Sequence, residues 1–264
     1  MPDVAALLEA YDSQLRARVP DPLPAGVRAE RDGPILRLLG LPGGGFVGYR
    51  DLDGLEGAAL DELLARQVRL FAGRGERFEW KLHGHDRPAD LPERLRAAGF
   101  VPEERETVAI APVEEIATPP LPPDGVALRE VAERVDLDRI AAMEEAVWGD
   151  GDRAWLAESL EAERAAGPEA ISIVVAEAGD EVVCAAWVRF EEGTEFATLW
   201  GGATVPAWRG RGIYRATVAH RAGLAAARGR RFLQVDASAD SLPILERLGF
   251  VAVTTTTPYV WSPS

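Results

Sequence analysis

The sequence predicts a mixed α/β protein built from two related halves, and three observations carry that reading. Strand-like and helix-like segments alternate in the second half in the order β-α-α-β-β-β-α-β-α-β, which gives a mixed sheet covered by helices. Two segments of the first half recur, in the same order, in the second. Between the halves, "APVEEIATPPLPPDG" (111–125) carries prolines at 112, 119, 120, 122 and 123, so it continues neither a helix nor a central strand. The expected domains are therefore 1–118 and 119–264.

After the proline run, "GVALREV" alternates as a strand does. "VDLDRIAAMEEAVWG" and "RAWLAESLEAERAAG" have helical spacing and end in glycine. "ISIVVAEAGDEVVCAAWVRFEEGTEFATLWGGATV" reads as three strands joined by turns at Gly179-Asp180 and Glu192-Gly193. A helix over about 212–228 follows, then a strand "RRFLQVDAS", a helix "SLPILERLG" and a last strand in "FVAVTTTTPYVW".

The repeat is visible in two places. "FAGRGERFEW" (71–80) matches "AAARGRRFLQ" (225–234), and "RLRAAGFV" (94–101) matches "ILERLGFV" (244–251). In the register of the first match, Leu55, Gly57 and Asp61 fall opposite Arg209, Arg211 and Arg215. Whatever anion those arginines serve, the first half lacks the means to hold it.

Bulk properties narrow the function classes. Apolar and charged fractions of 47% and 27% are those of a globular protein. A net charge of −14 argues against a general nucleic-acid or anionic-membrane binder, because phosphate-rich partners are repelled. The single cysteine, Cys184, excludes an internal disulfide and a Cys-based zinc site, and its apolar surroundings predict a buried thiol. The acidic N-terminal stretch has no basic region before an apolar block, and no window approaches the roughly 18 apolar residues of a membrane span. A cytoplasmic protein is expected.

One stretch runs against the acidic balance. No Asp or Glu occurs from Phe196 to Val235, whereas arginines stand at 209, 211, 215, 221, 228, 230 and 231. In "VPAWRGRGIYRA" (205–216) they flank glycines just before a helix start. Unpaired N–H groups and the helix dipole make such a start attractive to anions, and glycines let the backbone approach a phosphate closely. The stretch reads as a pyrophosphate cradle. It is not a Walker loop, since the only lysine is Lys81, and a dinucleotide fingerprint needs a glycine where Arg215 stands. The letters of "GGGFVG" (43–48) also fit that fingerprint, but no helix follows and a hairpin turn is expected.

Residues 204–215, with Arg209, Gly212 and Tyr214 on the pattern Arg/Gln-x-x-Gly-x-Gly/Ala, resemble the acyl-CoA loop of GCN5-related N-acetyltransferases. The element order from Val126 to Trp261 is similar to that fold too, and the first half resembles a worn copy in a tandem arrangement. The resemblance implies acetyl-CoA as acyl donor, no metal, and a small-molecule or peptide amine as acceptor. It implies that Gly202, Ala203 and Thr204 pair with the pantetheine amides. Arg209, Gly210, Arg211, Gly212, Ile213, Tyr214 and Arg215 would wrap the pyrophosphate, and Ser238 would touch the cofactor. Two positions depart from the family: Tyr214 replaces a small residue, and Leu245 stands where a tyrosine often protonates the thiolate.

The transfer also needs a base for the acceptor ammonium. Candidates are Glu195, Asp236, Glu144 and Glu145, with Tyr259 as a substitute acid and Trp200 as either a wall of the acceptor pocket or an ordinary core tryptophan. A thiolate also leaves without a dedicated acid. His83, His85 and Asp86 have the spacing of a metal site, but a loop in the worn half is the plainer reading. The acidic exterior suits a cationic acceptor. The alternatives are an acyl-CoA-binding module without catalysis and a partner-binding tandem domain without cofactor.

Overall fold

A computed structural model of the chain describes residues 3–149, 151 and 153–263. The first elements are α1 (Val4–Gln14), β1 (Arg28–Asp32), β2 (Ile35–Leu39), β3 (Gly45–Tyr49), α2 (Gly57–Arg74), β4 (Phe78–His83), α3 (Leu91–Ala97), β5 (Val101–Pro102), β6 (Glu106–Pro112) and α4 (Val113–Ile116). Then come β7 (Val126–Val131), α5 (Arg134–Trp148), α6 (Ala154–Ala166), β8 (Ile171–Ala178), β9 (Glu181–Phe190) and β10 (Phe196–Thr204). A 3-10 turn (Pro206–Trp208), α7 (Ile213–Ala227), β11 (Phe232–Ala237), α8 (Leu242–Leu248) and β12 (Val251–Trp261) complete the chain. The order from β7 to β12 is the one the sequence predicts.

The chain forms two compact units. The first takes residues up to Val108, Asp236–Ala239 and everything from Ala252 onward; the second takes Ala109–Val235 and Asp240–Val251. The expected boundary at 118/119 lies inside the second unit. Two contacts account for the difference: the Val113 N–H donates to the Arg231 carbonyl at 2.8 Å, tying that segment to the second unit, and the last strand pairs with β4 of the first.

In the first unit β1, β2 and β3 form an antiparallel meander and β3 runs parallel to β4. On the other side of β4 lies β12, antiparallel, from Thr256 opposite His83 to Trp261 opposite Phe78. Successive β4 side chains take opposite faces. Phe78 and Trp80 join Phe71, Leu60, Leu64 and Tyr259 in the core, with Phe71 and Phe78 stacked at 4.1 Å. Gly45 is obligatory beneath that stack, since a Cβ there would lie 2.0 Å from the Phe71 ring. The other face of β4 carries Glu79, Lys81 and His83, and the Tyr11 hydroxyl of α1 meets His83 Nε2 at 3.0 Å.

In the second unit β7, β8, β9 and β10 are antiparallel neighbours and β10 runs parallel to β11, with β6 beside β11. The unbroken apolar runs of β8 and β9 have helices on both faces, which explains their lack of alternation. On one side α5 and α6 place Leu137, Ile140, Leu156 and Leu160 against Ile173, Val175 and Ala185. On the other, Ile213 of α7 packs with Ala176, Val183 and Cys184. Cys184 is thus the buried thiol expected, its pKa raised by desolvation.

The sequence repeat has a structural counterpart in each unit. Both α2 and α7 end at a left-handed glycine, Gly75 and Gly229, immediately before the strands β4 and β11. Both α3 and α8 are seven-residue helices with proline in the first turn and a left-handed glycine after them, Gly99 and Gly249.

Candidate functional site

The second unit contains an opening in its own sheet. Pairing between β10 and β11 covers Phe196–Thr198 against Phe232–Gln234 and then stops. Among the described residues, the only strand that pairs with β10 from Leu199 to Thr204 is β9. The strand departs from regular geometry at the same place: its register with β9 shifts between Gly201 and Ala203, and both Gly201 (φ 66°) and Gly202 (φ 91°) are left-handed. Such a bulge bends a strand and re-aims its backbone groups. Gly202 is also a close-approach glycine, since a Cβ would lie 2.6 Å from the Tyr214 ring. The ring that replaces the family's small residue therefore packs on the strand.

Beyond Thr204 the 3-10 turn leads to Arg209, whose Nε donates to the Thr204 carbonyl at 3.0 Å and ties the loop to the strand end. Gly210 (φ 74°) and Gly212 (φ 85°) are left-handed, and Gly212 is the N-cap residue of α7. No side chain caps α7 and its first turn holds no acidic residue. Its leading N–H groups and the positive end of its dipole are open to an anion.

Arg209, Arg211 and Arg215 are exposed around this start. Arg211 lies over the Trp208 ring at 4.6 Å. Among the described residues none of the three has a carboxylate within ion-pair distance, in a chain with 43 acidic residues. Elsewhere Arg129, Arg134, Arg139 and Arg189 are all tied to acids. Ile213 contributes its backbone, because its side chain is buried.

The other candidate residues scatter. Glu195 precedes β10, about 25 Å along the strand from Thr204, and is bonded to Arg231. Glu144, buried on α5, accepts from Trp148 Nε1 at 2.6 Å and faces Arg153, while Glu145 is exposed on the same helix. Asp236 belongs to the first unit, where Lys81 Nζ approaches its Oδ2 at 2.5 Å. Ser238 follows β11 in the same segment. Trp200 is 45% exposed beside the bulge, its ring under Arg189 at 4.4 Å and its Nε1 bonded to Thr198.

The place of the family's usual acid is held by a core residue, and the substitute acid is buried. Leu245 is a fully buried core side chain, and Tyr259 lies in the core of the first unit. His83 and His85 are engaged by Tyr11, Asp12 and Thr254, and among the described residues no group of three or more His, Cys, Asp or Glu could hold a metal. No helix among the described residues is long and apolar enough to cross a membrane.

The sequence reading counted Arg221 among the cations around the cradle, but it is fully buried. A signal for this existed: Ile213, Thr217 and Arg221 are spaced four apart, which puts Arg221 on the apolar face of α7.

No protein-family model matches the sequence, and no curated protein matches it. Solved structures do. A GCN5-related N-acetyltransferase from Kribbella flavida is 16% identical, with a TM-score of 0.67 over 99% of this chain and 94% of that one. A tandem GNAT protein from the clavulanic acid biosynthesis pathway is 14% identical, with a TM-score of 0.65 over 99% and 95%. A GCN5-related N-acetyltransferase from Sphaerobacter thermophilus is 14% identical, with a TM-score of 0.60 over 89% and 76%. The chain has the fold of the GCN5-related N-acetyltransferases.

Proposed function

We propose that the protein is a cytoplasmic acyltransferase that moves an acetyl group from acetyl-CoA to the amine of a small molecule or peptide. One observation carries the reading: the unpaired edge of β10 from Leu199 to Thr204 runs directly into the uncapped start of α7 with its unpaired arginines. An acyl-CoA has the matching parts, amides for a strand edge and a pyrophosphate for a helix start.

The acceptor nitrogen attacks the thioester carbon, the carbonyl oxygen becomes negative, and collapse breaks the C–S bond. Backbone N–H groups at the β10 bulge are the donors suited to that oxygen. With Leu245 buried, the departing thiolate takes its proton from solvent. Glu144, Glu195 and Asp236 are already engaged and Glu145 is exposed on α5, so the ammonium proton passes to water or to Glu145.

Calorimetric titration with acetyl-CoA at low and moderate salt tests the donor site. Salt-sensitive binding is expected, and no binding at millimolar ligand overturns the reading. The buried Leu245 favours one rival, an acyl-CoA-binding module without catalysis. Release of CoA above background with any amine of a broad panel rules that rival out.

A further inference from the structure

Arg221 is a buried cation without a buried anion. Its side chain is 1% exposed on the inner face of α7. The guanidinium makes three hydrogen bonds, all to backbone carbonyls: Nε to Thr217 at 3.1 Å, and Nη1 to both Trp187 and Trp200 at 3.1 Å. Its ionisable neighbours are Tyr214 and His220 on α7 and Cys184 on β9, none of them a carboxylate. Glu144 of α5 is engaged by Trp148 Nε1 at 2.6 Å and faces Arg153 at 3.9 Å. Arg16, the other deeply buried arginine side chain, shows the usual arrangement, with Asp86 at 2.7 Å and Asp12 at 3.5 Å.

Desolvating a charge without a counter-charge is strongly unfavourable, and an arginine stays protonated even when burial lowers its pKa, as it does here. Three carbonyl dipoles offset part of that cost. The location suggests what offsets more. Trp200 directly precedes the bulge at Gly201 to Ala203, so the cation lies behind the segment where a thioester would meet β10. A charged donor on the Trp200 carbonyl also polarises the peptide that leads into Gly201.

We propose that Arg221 is a positioning residue for negative charge in the cleft: it fixes the β10 bulge and supplies the counter-charge for the thiolate and oxyanion that acyl transfer generates there. This rests on the acyl-CoA reading above. The anion that the reaction generates pairs with this cation.

The test uses free CoA on the full chain and needs no acceptor. Binding is measured by calorimetry and ionisation of the bound thiol by ultraviolet thiolate absorbance across pH. In the wild type, bound CoA should show at least about tenfold more thiolate than free CoA at the same pH below the free thiol's titration. Read on CoA-saturated protein, Arg221→Met should remove that excess, and Arg221→Lys should retain most of it. Coincident titration of bound and free CoA in the wild type overturns the proposal, as does an excess that survives in Arg221→Met or is lost equally in both variants. Should Arg221→Met fail to fold, the wild-type and Arg221→Lys titrations decide alone. Failure of the wild type to bind CoA at all overturns the acyl-CoA reading and this inference with it. Binding with an unshifted thiol overturns this inference only.

Discussion

Lys81 and Asp236 are 155 positions apart in the chain and 2.5 Å apart in the first unit, Nζ to Oδ2. Lys81 is the only lysine of the chain, and both side chains are largely buried. Burial lowers the lysine pKa, but Asp236 outweighs it and the ammonium is held charged. Removing one member of such a pair leaves an uncompensated charge. Lys81→Met should therefore lower the unfolding free energy by about 3 kcal/mol. Adding Asp236→Asn should recover most of that loss. Denaturant unfolding of the three variants checks this, and equal stability of the single and double variants would sink it.

Two groups beside that pair make opposite contributions to the pH dependence of stability. Burial, then the negative charge of Asp236, raises Glu106 to about 7. Between about 4.5 and about 7 the folded chain therefore keeps a proton that the unfolded chain has released, and rising pH destabilises. His83 goes the other way: burial, then Arg16 and Lys81, pushes its pKa down to about 2. From about 2 to about 6.5 the unfolded chain binds a proton that the folded chain excludes, so falling pH destabilises.

The two slopes oppose one another where the windows overlap. Glu106→Gln should leave a melting temperature that climbs from about pH 4.5 to about 6.5, and His83→Gln one that declines over the same range. Melting curves across pH decide, and parallel profiles for both variants contradict the assignment.

Gly202 is constrained twice, by its left-handed backbone and by the Tyr214 ring 2.6 Å from where a Cβ would sit. Gly202→Ala should cost about 1–3 kcal/mol and displace the ring or the strand. Adding Tyr214→Ala should remove the clash but not the backbone strain, so recovery should be partial. Full recovery would mean that the backbone conformation carries no cost; none would mean that the ring contact is unimportant.

These contacts mark the limit of what the chain's local pattern encodes. The apolar runs of β8 and β9, the helical spacing of α5 to α7 and the glycines after α5 and α6 all act within a few residues, and the elements from β7 to β12 were legible from them. A strand's period of two tells which side chains share a face, not which edge it will pair with. The partnership of β12 with β4 was therefore hidden, and with it the composition of the units. Charge counting misplaced Arg221, because it ignores which face of α7 the residue occupies. Asp236 was read as a candidate base from its place on β11, and the lysine bonded to it is one that only the fold brings near.

The repeated halves finally predict how many acyl-CoA molecules bind. In the second unit, α7 starts uncapped behind Gly210 and Gly212 with unpaired arginines around it. The equivalent helix of the first unit, α2, starts at Gly57 behind Glu56, after a loop that carries Asp51 and Asp53. Acidic groups at that place repel a pyrophosphate, so acetyl-CoA should bind with a stoichiometry of one. A Cβ at Gly210 would meet nothing within 4 Å, but Gly210 and Gly212 are both left-handed, so any side chain there adds backbone strain, and Gly210→Ala with Gly212→Ala separates that strain from the effect of charge. Gly210→Glu with Gly212→Glu should weaken acetyl-CoA binding at least about 100-fold while circular dichroism stays unchanged. Unchanged affinity would remove the cradle from α7, and a stoichiometry near two would restore a site to the first unit.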